Sequence, residues 1–233
     1  MDKINRNNHT GGTMDKSIRM SGLGGQGVVT AAHLLGTCAV LDGKNSTVNP
    51  FFGAEKRLAP AESYVRISTG NIYDVGEVVY PDIIMVFHAD VITQGKSYTM
   101  PFFSGIRNNG IIIINSDTEF QLTADETEGL DKLNVKLYFV GATEIARTVG
   151  KTELSGNIAM LGALLGITNI VSVKSMHEAL KERFGGKIKL VASGTTAALD
   201  EAIKRQFGKV EQLIAANIDV FDEAYKQASS LKT

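Results

Sequence analysis

The feature that most constrains the fold is a glycine-rich turn between a short apolar strand and an apolar helix. The stretch reads SIRMSGLGGQGVVTAAHLLG, from Ser17 to Gly36. Its glycines fit the pattern G-x-G-x-x-G, which allows a tight turn and brings backbone amides close to a phosphate at the positive end of a helix. The candidate ligand-binding residues of this turn are Gly22, Gly24, Gly25, Gln26 and Gly27. Nicotinamide, flavin and coenzyme A all remain possible occupants.

Three later apolar runs indicate a parallel sheet. They cover 82–87, 111–115 and 136–140, and each is typical of a strand that is buried on both faces. The polar segments between them are long enough for crossover helices. We therefore expect an α/β fold with a doubly wound, mostly parallel sheet.

Two further strand signals follow the first helix. A short second strand is predicted over 46–49 and is ended by Pro50. The segment 63–68 alternates between apolar and polar residues, and we expect it to pair with 71–79 as a β-hairpin addition to the sheet.

The second half of the chain is predicted to be helical. We expect helices over 142–149, 156–165 and 175–183, followed by an amphipathic helical tail over 193–229 with a kink at Gly208.

The predicted division of the chain has three parts. Residues 1–16 are polar and lack periodicity, and are expected to form a disordered leader. Residues 17–186 form the α/β domain, and residues 187–233 form a helical C-terminal extension.

Composition excludes several function classes. Lys and Arg total 24 against 25 for Asp and Glu, so no strong positive field is present to bind a nucleic acid. Cys38 is the only cysteine, so the chain alone cannot hold an iron–sulfur cluster. The N-terminal residues lack the apolar core of a signal peptide, and no apolar run has the length of a membrane span. We expect a cytoplasmic protein with neither nucleic acid nor membrane as a partner.

The residues around the turn argue against a dinucleotide. Such a site needs an acidic residue at the end of the second strand to bind the ribose hydroxyls, and Asn49 and Pro50 stand there. Lys56 and Arg57 follow in the next loop and would supply counter-charges for phosphate groups. The alternatives are that the glycines only allow close packing of strand and helix, and that Lys56 and Arg57 are a solvated surface pair.

Outside this turn the chain offers little chemistry. His88 follows the strand predicted over 82–87, at the edge where α/β folds bind ligands. No nucleophile–base pair, carboxylate pair or metal-ligand spacing stands out. The chain is therefore expected to contribute binding and architecture, while a partner chain makes and breaks bonds.

Three motifs in order resemble the gamma subunit of the 2-oxoacid:ferredoxin oxidoreductases. They are IRMSGLGGQGVVTAA from Ile18, FGAEKR from Phe52 with SYVRIS from Ser63, and NIAMLGAL from Asn157. The resemblance extends over about residues 17–184. The family includes enzymes of the pyruvate, 2-ketoisovalerate, 2-oxoglutarate, indolepyruvate and phenylglyoxylate types. One departure is Leu58, because family members often have glycine directly after the basic pair.

The resemblance implies a subunit of an enzyme of anaerobic metabolism that oxidatively decarboxylates a 2-oxoacid to an acyl-CoA. It implies thiamine-binding alpha and beta subunits with thiamine diphosphate and Mg, and a ferredoxin-like delta subunit with 4Fe–4S clusters. A flavin or NAD-reducing subunit is a further possible partner. This chain would be the subunit without thiamine or clusters, and would bind coenzyme A in part.

The resemblance also implies roles for the candidate residues. Gly24, Gly25, Gln26 and Gly27 would flank the phosphates of coenzyme A, and Lys56 and Arg57 would lie against its phosphorylated adenosine end. Two alternatives stay open: a purely structural assembly subunit of the same complex, and a stand-alone dinucleotide-binding oxidoreductase.

Overall fold

A mixed six-stranded sheet forms the centre of the molecule. The computed structural model describes residues 14–53, 58–185 and 197–232, with the backbone alone for 197–207. The strands are β1 (Asp15–Leu23), β2 (Asn45–Phe52), β3 (Pro60–Ser68), β4 (Ile83–Val86), β5 (Ile111–Asn115) and β6 (Lys136–Val140). The helices are α1 (Val28–Leu41), α2 (Asp90–Thr93), α3 (Ala124–Lys132), α4 (Ala142–Thr148), α5 (Gly156–Thr168), α6 (Val173–Gly185) and α7 (Ala197–Ser229).

The strand order is β2-β3-β1-β4-β5-β6. Strands β1, β4, β5 and β6 are parallel neighbours, whereas β3 runs antiparallel between β1 and β2. The predicted α/β class, with a mostly parallel sheet and an antiparallel addition, is confirmed. After β1 the chain adds β2 and β3 on one side of this strand, and then β4, β5 and β6 on the other side. Such a switch point opens a crevice at the carboxyl ends of the strands.

The predicted hairpin partner of β3 was wrong. β3 pairs with β1 and β2, and the segment 71–80 contains no strand. Arg66 gives the physical reason, because its guanidinium donates to the carbonyl oxygens of Gly76 at 2.6 Å and Glu77 at 2.8 Å. A side chain therefore satisfies backbone acceptors that a hairpin would have paired in a ladder.

The predicted end of the second strand at Pro50 was also wrong. β2 continues through Pro50 to Phe52, and Pro50 lies opposite Ser63 in the register. β2 is an edge strand, so an amide is not required on its outer side, and proline is tolerated there.

The main core lies on the α1 side of the sheet and has α5 at its centre. Twelve of the thirteen residues of α5 are buried, which explains why its sequence is apolar on every face. α7 covers α5 and contributes Val220, Phe221, Ala224 and Ala228 to the same cluster of buried residues. The helix continues through Gly208 without a break. Among the described residues, no helix is long and apolar enough to span a bilayer.

The division at residues 16 and 186 remains a prediction. Residues 1–13 and 186–196 lie outside the described residues, and β1 begins at Asp15.

Cys38 is expected to be chemically inert in the folded chain. Its side chain is fully buried in α1, and burial raises the pKa of the thiol to about 12. Because the thiolate is the reactive form, a disulfide reagent at pH 8 should label no cysteine until denaturant unfolds the protein. Complete labelling within minutes in native buffer would contradict this placement.

Candidate functional site

The glycine turn lies at the carboxyl end of β1, directly before α1. Inside the turn, the amide of Leu23 donates to Gln26 Oε1 at 3.0 Å, and the amide of Gln26 donates to the Leu23 carbonyl at 3.1 Å. The side chain of Gln26 therefore braces the turn. The amides of Gly25 and Gly27 have no hydrogen-bond partner among the described residues, so both are available to a ligand.

The glycines of the turn serve different purposes. At Gly22 a Cβ would lie 2.7 Å from Val28 Cγ2 and 2.9 Å from Phe87 Cβ, so this glycine allows close packing. Gly27 has φ of +73°, and a Cβ there would meet Asn157 Nδ2 at 2.5 Å. Gly25 has φ of +99° and nothing within 4 Å of its Cβ position, so its glycine is required by conformation and faces open space.

Unpaired amides continue from the turn into α1. The first intrahelical bond is donated by Ala31 to the carbonyl of Gly27, so the amides of residues 28–30 have no partner within the helix. No side chain caps this end. The first turn of α1 lines a mostly apolar cavity of about 680 Å³ that also includes Phe52 and Gly53. We call this space the α1 cavity. Its row of free amides at a helix N-terminus suits an anionic group.

Gly24 fixes the turn to the chain that precedes β3. Its amide donates to the carbonyl of Ala59 at 2.8 Å, and its carbonyl accepts from the amide of Leu58 at 3.3 Å. The amide of Gly24 is therefore already engaged, unlike that of Gly25.

Lys56 and Arg57 lie outside the described residues. The described residues on either side of them both lie at the glycine turn. Gly53 lines the α1 cavity, and Leu58 is hydrogen-bonded to Gly24. The loop that carries the two basic residues thus begins and ends at the candidate site.

Leu58 adopts a left-handed backbone conformation, with φ of +59°, at the position where the resemblance gives glycine. Its side chain is exposed, so it gains little from burial. We expect Leu58→Gly to raise the free energy of unfolding by about 0.5–1 kcal/mol, because the strain of a Cβ in this region is relieved. Leu58→Ala keeps the Cβ and should bring no gain. Chemical denaturation of the two variants checks this, and equal stabilities would contradict it.

A second, smaller space lies on the other side of the turn. This crevice has a volume of about 290 Å³ and is bounded by Gly25, Gln26, His88 and Asn115, and by the N-terminal end of α5. The side-chain amide of Asn115 already has partners, since its Nδ2 donates to the Phe87 carbonyl at 3.1 Å and to Thr143 Oγ1 at 2.9 Å.

The sequence located His88 at this edge but missed Asn115 and Thr143. Asn115 ends β5 next to the end of β4, and this adjacency of parallel strand ends is the signal that would have identified it. Asn157 lies against the turn, where its Nδ2 donates to the Gly27 carbonyl at 3.3 Å. Among the residues with a described placement, no group of three His, Cys, Asp or Glu side chains could hold a metal ion.

Among the described residues that line the α1 cavity, none is the acidic residue that a dinucleotide site needs. β2, the strand at whose end a dinucleotide site would have this residue, is separated from β1 by β3. Glu62 of β3 does lie next to β1, but it is fully buried and accepts hydrogen bonds from Tyr64 Oη and Ser97 Oγ, each at 2.8 Å. Burial and the neighbouring Glu62 raise the pKa of Tyr64, so the phenol remains the donor.

The fold and the site define an α/β domain with an anion-suited glycine turn at the switch point of its sheet. The model of the pyruvate ferredoxin/flavodoxin oxidoreductase family matches residues 17–198. The chain belongs to this family. Within it, the chain is the gamma subunit of a 2-oxoacid:ferredoxin oxidoreductase complex, and the predicted resemblance is confirmed.

Curated relatives and solved structures agree. The chain is 38% identical over 172 residues to the pyruvate synthase subunit PorC of Methanothermobacter thermautotrophicus, covering 73% of this chain and 86% of the relative. It is 35% identical to the pyruvate/ketoisovalerate oxidoreductases common subunit gamma of Thermococcus litoralis, covering 73% and 88%. The pyruvate oxidoreductase subunit PORC of Thermotoga maritima has the same fold, with a TM-score of 0.64, 24% identity and coverage of 91% and 96%.

A longer chain contains the same fold. The 2-oxoglutarate:ferredoxin oxidoreductase of Magnetococcus marinus, solved with 2-oxoglutarate, coenzyme A and succinyl-CoA bound, superposes with a TM-score of 0.68 at 22% identity. The superposition covers 94% of this chain and 32% of that chain.

Proposed function

We propose that this gamma subunit supplies part of the coenzyme A site of a complex that oxidatively decarboxylates a 2-oxoacid to an acyl-CoA. The observation that carries the proposal is the row of unpaired amides at Gly25, Gly27 and residues 28–30, all of which belong to residues that line the α1 cavity. Backbone amides at a helix N-terminus bind phosphate without a charged side chain.

The α1 cavity suits coenzyme A better than a dinucleotide. Its lining is mostly apolar, with Phe52 beside the free amides, and the nearby carboxylate of Glu62 is buried and engaged. Gly24, Gly25, Gln26 and Gly27 would flank the pyrophosphate, with Gln26 holding the turn in shape and Gly22 allowing it to pack. Lys56 and Arg57 would lie against the phosphorylated adenosine end. The bound coenzyme would supply the thiol that accepts the acyl group.

The remaining cofactors would belong to partner subunits. A 4Fe–4S cluster is held by four cysteine thiolates, and this chain has Cys38 alone, which is buried. We assign the clusters to a ferredoxin-like delta subunit, and thiamine diphosphate with Mg to alpha and beta subunits. In this arrangement the gamma subunit binds and positions, and it performs no bond chemistry itself.

A purely structural assembly role is the second candidate. Phe51 and Phe52 at the end of the edge strand β2 are more than half exposed, and so is Leu58. Exposed apolar side chains at the edge of a sheet suit a contact with another protein chain. They are compatible with either role, since the α1 cavity lies directly beside them.

Native purification tests the assignment to a complex. We expect this chain to copurify with thiamine-binding and cysteine-rich chains, and the preparation to oxidise at least one of a panel of 2-oxoacids only when coenzyme A is present. A chain that purifies alone and is inactive on every 2-oxoacid would contradict the proposal. An active complex whose kinetics with coenzyme A do not respond to changes at the glycine turn would favour the assembly role.

A further inference from the structure

His88 stands at the boundary between the glycine turn and the crevice. It directly follows β4 and the buried Phe87, and it lines the crevice opposite Gly25 and Gln26. The coenzyme A proposal places phosphates in the α1 cavity and leaves this crevice without a role.

The fold fixes the hydrogen-bonding state of the His88 ring. The backbone amide of Asp90 donates to His88 Nδ1 at 3.1 Å. An amide can only donate, so Nδ1 accepts, and the proton of the neutral imidazole lies on Nε2. The Asp90 carboxylate is held in place by Lys96 Nζ at 3.0 Å and lies 3.6 Å from Nδ1.

The other ring nitrogen is an available donor. His88 Nε2 has no hydrogen-bond partner among the described residues, and 40% of the side chain is exposed. Two polar neighbours of His88 in the crevice already have partners. The side-chain amide of Asn115 donates a hydrogen bond to Thr143 Oγ1, and the carboxylate of Glu153 is paired with Arg147 at 2.7 Å. A donor held in one tautomer at the wall of a cavity is suited to a carbonyl oxygen.

The charges around the crevice favour a neutral group over a phosphate. No Lys or Arg is among the described residues that line the crevice, and the carboxylate in its lining, that of Glu153, is paired with Arg147 at 2.7 Å. The lining therefore offers no unpaired Lys or Arg to neutralise a phosphate. An amide or thioester carbonyl needs only the donor.

Gly25 connects the two spaces. It lines both the α1 cavity and the crevice, and nothing lies within 4 Å of its Cβ position. We propose that the crevice takes the thiol arm of coenzyme A, and that His88 Nε2 donates a hydrogen bond to an amide or thioester carbonyl of that arm. This inference rests on the proposed function, since it requires coenzyme A at the glycine turn.

The test uses the intact complex carrying His88→Phe or His88→Gln in this subunit. Phenylalanine removes the donor, whereas glutamine keeps an amide donor at a similar reach. We expect His88→Phe to raise the KM for coenzyme A about tenfold with little change in kcat, as for loss of one hydrogen bond formed equally in ground and transition states. His88→Gln should restore most of the affinity. His33→Phe, the same change at an exposed position of α1, is the matched control and should leave KM unchanged.

A truncated ligand separates this inference from the function on which it rests. 3′-Phosphoadenosine 5′-diphosphate carries the phosphates of coenzyme A and lacks the thiol arm. Its inhibition constant should be unchanged by His88→Phe and raised by the double variant Lys56→Ala, Arg57→Ala. Two results for His88→Phe would overturn the proposed role of His88 and leave the coenzyme A site standing. One is an unchanged KM for coenzyme A, and the other is a rise in both this KM and the inhibition constant of the truncated ligand. If the double variant changes neither constant, the proposed coenzyme A site itself fails.

Discussion

Gly162→Ala is expected to lower the free energy of unfolding by about 2–3 kcal/mol, although alanine is the better helix former. Gly162 lies in α5 where α7 crosses it, and a Cβ there would be 2.9 Å from Ala224 Cβ and 3.0 Å from the amide of Tyr225. Its nearest contact would be the carbonyl oxygen of Phe221, a backbone atom that cannot rotate away. The added methyl group therefore displaces α7 from the core. Denaturant unfolding of the purified chain measures the loss.

Gly208→Ala is the matched control, because it makes the same change in α7 where nothing lies within 4 Å of the Cβ position. It should raise the free energy of unfolding by up to about 1 kcal/mol through helix propensity alone. A stabilised Gly162→Ala variant, with the same sign as the control, would show that α7 does not pack on α5 as described.

The double variant Lys56→Ala, Arg57→Ala is expected to raise the KM for coenzyme A roughly 10- to 100-fold in the intact complex, with little change in kcat. Charge-assisted contacts to phosphate contribute more than neutral hydrogen bonds, and two would be lost together. Contacts to the adenosine end do not change during acyl transfer, so their loss affects binding and not the chemical step. Steady-state kinetics at saturating 2-oxoacid measure both constants.

Lys181→Ala, Arg183→Ala serves as the control, since it removes two exposed cations from α6 with the same change in net charge. It should leave the KM for coenzyme A unaltered. Equal kinetics in the two double variants would assign Lys56 and Arg57 to the solvated surface and favour the assembly role.

The central sheet was predictable because its signals are local. Apolar runs such as 111–115 are typical of strands covered on both faces, and the glycine turn lies between a strand and a helix as its pattern indicates. Pairing is not local, which explains the errors. Nothing within 71–79 shows that the guanidinium of Arg66 would satisfy its carbonyls, and nothing next to Pro50 shows that β2 would be an edge strand.

The position of the glycine turn was predictable from the sequence, whereas the geometry of the candidate site around it was predictable only in part. The pattern identified the turn, but it could not separate Gly25, which faces open space, from Gly22, which packs against Phe87. Nor could it show that Gln26 would fold back onto the Leu23 amide, since that contact depends on the shape of the turn. His88 was found because it follows a strand, whereas its partner Asp90 emerges only from the backbone geometry that follows β4.

Photoaffinity labelling of the intact complex would test the coenzyme A assignment most directly. A coenzyme A analogue with a photoreactive group on its adenine would be crosslinked in the complex, with excess coenzyme A as competitor, and the labelled peptides identified by mass spectrometry. The account predicts competed label on this subunit, in the peptide that joins Phe52 to Leu58. Competed label found solely on partner subunits would contradict it.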